Sequence, residues 1–465
     1  MKITQLTIVC AIAVAWVGHP ATAQQVKQPV SVNPVAFEYN YYEDEVASEE
    51  SPSDKIVPPD MAQPADPPQA PAAPTAGCGD YGCGLDGCAS RCGAGLSGCR
   101  PSFGRRLMAR SACMCSGDPW ELSSGDNCWD IDVGGWFQFG YHTEGRYNTP
   151  TSPFPPDGTS LFNNRPNQVQ LQQGWLYVEK AVDNGGCGWD FGGRFDYVYG
   201  TDGPNTQAFG NPGNEWDNGA GGTGIGGADP AYGHAVPQAY LQVAYNDLTI
   251  TAGKFFTVVG YEVVAAPGNF FYSHAFTQNN AEPFTHSGVL AEYAFTENIT
   301  LWGGWTAGWD TGFVQNANGS VFLGGFALQL TDRLSFAYVT TMGNFGGVSD
   351  DDGYSHSMVL DWALSDRWEV VLQSDYIEND LFLGSPDDVF GVNSYLFYYL
   401  NDCVAFGQRL EWYSDPRQPD EVLAYTAGVN IKPHANVIMR PEVRWQRYAS
   451  ITDEFLFGMD VIFTY

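Results

Sequence analysis

Oppositely charged residues stand two positions apart in several stretches of this sequence, with apolar residues between them. Arg440-Pro-Glu-Val-Arg444 is the longest example, and Arg409-Leu-Glu411 and Arg194-Phe-Asp196 have the same spacing. Side chains two apart in an extended strand point to the same face. Such a charged face either forms ion pairs that stiffen a wall, or creates a transverse field across water that polar solutes cross and apolar ones do not. Both interpretations stay open.

The apolar residues between the charges decide where the charged face must point. Val437, Met439, Val443 and Trp445 share one parity in the last of these stretches. An arginine facing hydrocarbon at mid-depth costs about 2 to 4 kcal/mol, so charged positions in a membrane-crossing strand must face a lumen. The residues that we predict to line this lumen are Arg194, Asp196, Asp361, Glu369, Asp375, Arg409, Glu411, Arg440, Glu442 and Arg444.

One lysine does not follow this rule. Lys254 shares its parity with Leu248 and Ile250, which are apolar. A β-bulge near Gly253, or a position above the lipid, is needed to turn Lys254 away from hydrocarbon.

The stretch Phe455–Tyr465 shows what kind of element presents these faces. Its odd positions are apolar or aromatic, and its even positions include Gly458, Asp460 and Thr464. Eleven residues of strand, at about 3.3 Å each and tilted, cross a hydrocarbon layer of about 25 Å. An edge strand of a soluble sandwich is the alternative.

The same alternation recurs through residues 129–465, with turns that are alternately short and long. The predicted strands are 130–143, 168–180, 188–200, 237–246, 248–260, 285–295, 299–309, 320–331, 333–343, 354–365, 367–378, 389–400, 403–415, 421–432, 436–447 and 454–465. Short turns at one end and long loops at the other are typical of membrane barrels. We therefore predict an all-β fold, a transmembrane antiparallel up-and-down β-barrel of about 16 strands.

The residues before the barrel divide into three segments. Residues 1–23 predict a secretory signal peptide cleaved after Ala23. Residues 24–76 are rich in proline and acidic residues, which favours a disordered tether. Residues 77–128 form a cysteine- and glycine-rich segment. The mature chain has no apolar run of about 18 residues that would span a membrane as a helix, and the net charge of −32 argues against a nucleic-acid partner.

Eight cysteines lie in the third segment, and their even number predicts disulfides within it or to another envelope protein. They are Cys78, Cys83, Cys88, Cys92, Cys99, Cys113, Cys115 and Cys128. We predict that at least one bridge joins two chains, and we leave the pairing open. A zinc site is the alternative, but the segment has no C-x2-C pair and no histidine. Within the barrel, Cys187 and Cys403 fall at distant turns, so we expect them not to pair.

Other chemistry is poorly supported. His142, His286 and His356 lie near strand ends close to carboxylates, but no G-x-S-x-G or H-E-x-x-H motif accompanies them. We predict no catalytic residues, no metal and no cofactor. The acidic run 350–352 is interpreted as a solvated loop tip, with an external Ca²⁺ site as the alternative.

Several short motifs follow one another in a recognisable order: Ala252-Gly-Lys-Phe-Phe-Thr257, Asn269-Phe-Phe-Tyr-Ser273, Pro283-Phe-Thr-His286, Arg409-Leu-Glu-Trp-Tyr413 and Arg440-Pro-Glu-Val-Arg444. Together they resemble the OmpL-like β-barrel porin family (porin-2 type) of planctomycetes and other Gram-negative bacteria. The resemblance covers about residues 130–465 and implies an outer-membrane barrel that passes small solutes. It names no ligand.

The third long loop, residues 261–284, is a candidate constriction by analogy with general porins. Its polar residues that could narrow a channel are Glu262, Asn269, Tyr272 and Glu282. A plain extracellular loop is the alternative.

Two functions are weighed. The first is an outer-membrane porin that lets small polar solutes diffuse through a water-filled channel, with a modest cation preference. The second is a structural barrel that anchors a disulfide-linked segment to the cell envelope. Expected partners are outer-membrane lipid, the assembly machinery that reads the terminal aromatic residue, small polar solutes and a disulfide-linked envelope protein. A homotrimer is left open.

Overall fold

The computed structural model describes Trp120, Leu122 and residues 130–143, 162–163, 165–208, 232–315, 318–346, 352–379, 388–415, 421–448 and 453–465. The segments 1–23, 24–76 and 77–128 therefore lie outside the described residues, apart from Trp120 and Leu122, and so do the predictions made for their eight cysteines. No helix in the described part of the chain is long and apolar enough to cross a membrane.

The described residues form one antiparallel sheet that closes on itself. Its strands are β1 Asp132–His142, β2 Gln170–Lys180, β3 Trp189–Gly200, β4 Gly233–Ala235, β5 Ala239–Tyr245, β6 Leu248–Phe256, β7 Thr285–Thr296, β8 Ile299–Thr306, β9 Ser320–Thr331, β10 Leu334–Asn344, β11 Asp352–Ala363, β12 Trp368–Asn379, β13 Val389–Asn401, β14 Val404–Ser414, β15 Val422–His434, β16 Val437–Tyr448 and β17 Glu454–Thr464.

Strands β4 and β5 both pair with β3, one after the other. They count as one position in the barrel wall, interrupted near Pro237, so the closed barrel has sixteen strands and the predicted fold class is confirmed. Each predicted strand is found within four residues of its expected ends. Short turns connect the strands at one end of the barrel, called here the short-turn end, and the long loops lie at the other.

The first and last strands close the barrel. β1 pairs with both β2 and β17, and the pairing runs from Trp136 opposite Thr464 to His142 opposite Gly458. Gly135 and Tyr465 exchange two backbone hydrogen bonds of 2.9 Å. The Tyr465 hydroxyl donates to the carbonyl oxygen of Trp175, at 2.8 Å. The closure leaves no strand edge unpaired along this seam.

Burial separates the two faces of the sheet as the alternation predicts. Phe406 and Leu410 are 44% and 49% exposed on the outer face, whereas Arg409 between them is fully buried on the inner face. Val443 is likewise exposed, while its neighbours Glu442 and Arg444 are buried. An apolar outer belt and a polar inner wall are what a barrel in lipid requires.

Lys254 is buried, but the bulge near Gly253, one of the two explanations offered for it, is wrong. The pairing of β6 with β5 and with β7 runs past Gly253 without a register shift. Gly253 instead has a φ of +138°, in the range that favours glycine. Lys254 follows this glycine directly and is fully buried.

Three short helical segments were not predicted. Gly203–Thr206 forms helix α1 after β3, Ala266–Gly268 forms a 3₁₀ helix, and Phe276–Asn280 forms helix α2. The last two belong to one segment between β6 and β7, residues 257–284. This segment is called the inner loop below.

Candidate functional site: a loop inside the barrel

The inner loop turns from the end of β6 into the lumen. Its side chains contact residues on the inner face of the sheet, opposite the exposed apolar belt. Asn269 fixes the turn, because its side-chain amide donates to the Val263 carbonyl at 2.6 Å and its Oδ1 accepts from the Val263 N–H at 2.9 Å. Nothing in the loop has the alternation of a strand, so its position depends on these contacts.

Three consecutive aromatic residues of the loop lie on glycines of the wall. A methyl group on Gly407 of β14 would collide with the Phe270 ring. One on Gly428 of β15 would lie 3.3 Å from Phe271, and one on Gly458 of β17 would lie 2.8 Å from Tyr272. Glycine inside a strand commonly marks the close approach of another group. These glycines form the floor on which the loop packs.

Arg409 is the centre of the loop's attachment. Its guanidinium donates to Glu262 of the inner loop at 2.6 Å and to Glu411 of β14 at 2.7 Å. It also donates to the Ser273 carbonyl at 2.7 Å. Charge-assisted bonds of this kind are stronger than neutral ones. The buried arginine therefore binds wall and loop together.

The neighbouring strands repeat this arrangement. Arg440 of β16 pairs with Asp460 of β17 and donates to the carbonyl oxygens of Ala266 and Asn269, both at 2.7 Å. Glu442 accepts the backbone N–H groups of Tyr272 and Ser273 at 3.0 and 3.2 Å. Backbone groups of the loop thus find partners on the wall, as buried polar groups require.

Arg444 completes this side of the wall. It forms a 2.9 Å ion pair with Glu411, and Glu411 accepts the backbone N–H of Phe276 at 2.8 Å. Phe276 begins α2, and its ring lies under the Arg444 guanidinium, 4.9 Å from it. The start of α2 is therefore held by the same charges.

The other end of the loop is held without a cation. Gln373 of β12 donates to Glu282 at 2.5 Å and to Asp375 at 2.8 Å. Thr277 of α2 accepts a hydrogen bond from Asn393 of β13. Two buried carboxylates thus share one amide group. In the described part of the chain, no lysine, arginine or histidine side chain forms an ion pair with Glu282.

The loop also contacts the opposite side of the lumen. Val258 and Val259 pack with Leu290 of β7, Trp302 of β8 and Leu323 of β9.

The loop is also bound to β2. The Gln173 side chain donates to the Val264 carbonyl at 2.8 Å and accepts the Ala266 N–H at 3.0 Å. The inner loop thus spans the lumen from wall to wall.

The short-turn end of β2 and β3 keeps some charged groups accessible to water. Arg194 pairs with Glu179 and Asp196, each at 2.7 Å. The side chains of Arg194 and Glu179 keep 19% and 18% of their surface exposed. Across the lumen Glu369 accepts from Tyr399 at 2.7 Å, and Asp361 is its nearest acidic neighbour. These partly accessible charges lie away from Arg409, where the inner loop is attached to the wall.

The pKa values of Glu262 and Glu282, the two glutamates of the loop, are shifted in opposite directions. Burial alone would raise the pKa of Glu262, but Arg409, His274 and the Ala275 N–H together lower it to about 2. Burial, and the charge of Asp375 next to it, raise the pKa of Glu282 well above its ordinary value. Glu262 is therefore held ionised, and Glu282 is held protonated over a wider pH range.

The structure brings together residues that the sequence treated separately. Glu262 and Tyr272 of the predicted constriction meet the predicted lumen residues Arg409 and Glu442, while Glu282 meets Asp375. Sequence reasoning missed Asp460 and Gln173, although the inward parity of both can be read from their strands. The pore-lining and constriction roles remain predictions.

The three histidines considered for hydrolysis lie in different surroundings. His286 is buried between the Thr257 hydroxyl at 3.1 Å and the Gly308 carbonyl at 3.2 Å. His142 contacts the Thr143 carbonyl, and His356 lies among tyrosines. Within the described residues, no group of three or more His, Cys, Asp or Glu side chains is arranged to hold a metal ion.

The closed sheet, its apolar outer belt and its polar inner wall define a β-barrel membrane protein. The family model described as "Putative beta-barrel porin-2, OmpL-like" matches residues 130–464. The chain therefore belongs to this OmpL-like porin family. The family and the barrel support an outer-membrane location, and they favour a channel over an enzyme.

Solved structures with similar folds share little sequence with the chain. A loop-deletion mutant of OmpT, an outer membrane protein of Vibrio cholerae, is 11% identical, with a TM-score of 0.49 over 72% of this chain and 99% of that one. The outer membrane channel DcaP of Acinetobacter baumannii is 10% identical, with a TM-score of 0.46 over 75% and 99%. A mutant of the Rh. blastica porin is 14% identical, with a TM-score of 0.45 over 72% and 100%. No curated protein sequence matches the chain significantly.

Proposed function

We propose that the protein is a porin through which small polar solutes diffuse passively. The observation that carries this proposal is the lumen: a closed barrel wall bears inward charges at Arg194, Glu179, Asp361 and Glu369 that stay partly exposed. Charges on a water-filled wall admit polar solutes and reject apolar ones.

The route we infer includes the short-turn end of β2 and β3, where Arg194 and Glu179 stay partly exposed beyond the contact of Gln173 with the inner loop. On another part of the wall, Arg409 is fully buried under the loop and forms ion pairs with Glu262 and Glu411. Its charge therefore does not face a passing solute. Arg194 is a cation on this route whose side chain keeps 19% of its surface exposed, and it is already paired with Glu179 and Asp196. Acidic groups therefore dominate the passage, which favours cations.

The test is planar-bilayer conductance of the purified, heat-modifiable barrel in a KCl gradient. We expect discrete conductance steps with a modest cation preference, and a stronger preference in Arg194→Ala. Glu297→Gln, at an exposed short turn, is the control and should leave conductance unchanged. A folded barrel that gives no steps, both intact and with residues 263–281 replaced by a short glycine-serine linker, would refute the proposal. Clear anion selectivity would refute the proposed route.

The second candidate, an anchor for the segment before the barrel, has one observation in its favour. Trp120, twelve residues before the start of β1 at Asp132, is hydrogen-bonded to Asn436 at the short-turn end of the barrel. The upstream chain is therefore attached where a periplasmic anchor would need it. This role does not exclude conduction.

A further inference from the structure

Polar side chains interrupt the apolar outer face of the barrel on three neighbouring strands. They are Ser374 of β12, Ser394 of β13 and Gln408 of β14, and each lies between two buried inward residues, so it points outward. Leu372 is opposite Ser394, and Leu396 is opposite Gln408. The three polar residues therefore lie on one diagonal across the outer face, and they are called the outer polar patch below.

The outer polar patch lies at mid-depth of the membrane-crossing wall. At the short-turn ends of β12 and β13, the rings of Trp368 and Tyr398 pack with centroids 4.6 Å apart. At the long-loop ends of β13 and β14, the rings of Phe390 and Trp412 pack with centroids 5.5 Å apart. Girdles of aromatic residues mark the two membrane interfaces of a barrel. The patch lies between these two aromatic pairs and therefore faces hydrocarbon.

Hydrocarbon is a poor environment for these three side chains. None of them forms a hydrogen bond with another residue in the part of the chain that the structure describes. The amide of Gln408 can donate and accept hydrogen bonds, but the core of a bilayer offers it no partner, and an unbonded amide there is costly. Along β2 to β7, by contrast, the exposed mid-strand residues are apolar: Leu176, Phe195, Leu241, Ile250 and Val289.

The outer face is indented beside the patch. A cavity of about 550 Å³ lies there, and its lining includes the outward residues Leu396, Gln408, Ala427 and Val443. Gln408 is opposite Ala427, and Ala427 is opposite Val443, in consecutive strand pairs. The small side chain of Ala427 thus lies between longer ones. An indentation of this kind takes up a side chain of another protein surface.

We propose that the outer polar patch and the adjoining cavity form the contact between this chain and a second copy of it in the membrane. Amides and hydroxyls both donate and accept, so the patch can bond to an identical patch across a symmetry axis, whereas lipid chains cannot bond it. Five strands, β12 to β16, at about 4.8 Å spacing and about 25 Å of height offer roughly 600 Å² per copy. Specific interfaces bury about 600 to 1,000 Å² per partner. The inference does not depend on whether the barrel conducts.

The test is photo-cross-linking of the full chain in outer membranes. Ser394 is replaced by p-benzoylphenylalanine, and the matched control has the same replacement at Leu241, an exposed outer position on the opposite side of the ring. We expect position 394 to give a product of twice the chain's mass, in several-fold higher yield than position 241, with this chain as both partners. Equal yields at the two positions, no such product from a heat-modifiable barrel, or products with lipid or another protein alone would overturn the proposal.

A second measurement asks whether the amide of Gln408 holds the two copies together. Gln408→Leu removes the hydrogen bonds of this side chain, so the oligomer fraction in sedimentation of the detergent-solubilised barrel should fall several-fold, while heat-modifiability persists. Leu241→Ala is the control and should leave the oligomer fraction unchanged. Leucine suits hydrocarbon better than glutamine, so a face that met only lipid would tolerate it. An unchanged oligomer fraction in Gln408→Leu, or a native chain that sediments as one copy, would overturn the proposal.

Discussion

The two ends of the inner loop are fastened in opposite ways. Near its start, Glu262 is held as a carboxylate by Arg409, and this cation is also bound to Glu411. Near its end, Glu282 shares one amide group of Gln373 with Asp375. A buried carboxylate with a cation is stabilised in its charged form, and one beside another carboxylate in its neutral form.

The difference gives the two attachments opposite responses to pH. The folded-state pKa of Glu262 lies below its ordinary value, so its contribution is complete above about pH 4.5 and is lost as the pH falls through about 2. The folded-state pKa of Glu282 lies above its ordinary value. Its contribution is therefore present at low pH and is lost as the pH rises through the raised value. Strong acid therefore weakens the attachment at Glu262, whereas base weakens the attachment at Glu282.

The largest effect is expected from removing the first attachment. Glu262→Ala leaves the Arg409 guanidinium buried with one carboxylate fewer, and breaking a buried ion pair in this way costs about 3 to 5 kcal/mol. The inner loop should leave the wall in a large fraction of molecules, and single-channel conductance should rise. Planar-bilayer recording measures it against the Glu297→Gln control. Conductance equal to that of the native chain would mean that Arg440 and Glu442 suffice.

A smaller effect is expected from pH alone. As the pH rises through the raised pKa of Glu282, the charge on this residue increases beside Asp375, so the second end of the loop should loosen and mean conductance should rise. The start of the loop should remain attached through this rise in pH, because Glu262 stays ionised. Recording the conductance of the native chain from acidic to alkaline pH tests the behaviour of both ends of the loop. A conductance that falls with increasing pH would contradict the opposite pH responses inferred for Glu262 and Glu282.

Glu282→Gln should flatten this pH response. The amide keeps the size of the carboxyl group but cannot ionise, so the repulsion by Asp375 disappears at high pH. At a pH below the raised pKa of Glu282 the variant should conduct like the native chain, and at a pH above it the variant should conduct less. If its pH profile matches the native one, another group controls the response.

The smallest effect is expected at the glycine floor. Gly428→Ala puts a methyl group 3.3 Å from Phe271, which the ring can avoid with a shift of a few tenths of an ångström. We expect a loss of about 1 kcal/mol or less in loop attachment and little change in conductance. Limited proteolysis of the inner loop, compared between Gly428→Ala and the native chain, is sensitive enough to detect it. Rapid cleavage would show that the glycines of the floor contribute as much to loop attachment as the ion pairs do.

The barrel could be predicted because its signal is local. Alternation along each strand, as in Phe455–Tyr465, is set by which face meets lipid, and turn residues mark its ends. β4 was missed because three residues are too few to alternate. The path of the inner loop was not predictable, since its contacts join residues such as Glu262 and Arg409 that are far apart in sequence.

Part of the candidate site could nevertheless be predicted from the parity of residues along the strands. Gly407, Gly428 and Gly458 all fall at inward positions of their strands, where a missing side chain invites another segment to approach. Asp460 was visible at an inward position opposite Arg440. The stacking of Trp120 on His434 gives no such sign, because the two rings meet only after folding.

The seam between β1 and β17 determines how the protein can fold. Trp136 pairs with Thr464, so the contact that completes the sheet joins two ends of the barrel domain. Contacts between residues so distant in sequence form slowly, because the whole intervening chain must be organised first. No fragment that lacks β17 can close, and an incomplete barrel exposes the edges of β1 and β16 to other chains. Closure of the sheet therefore comes late in folding, and until then the two unpaired edges are prone to aggregation.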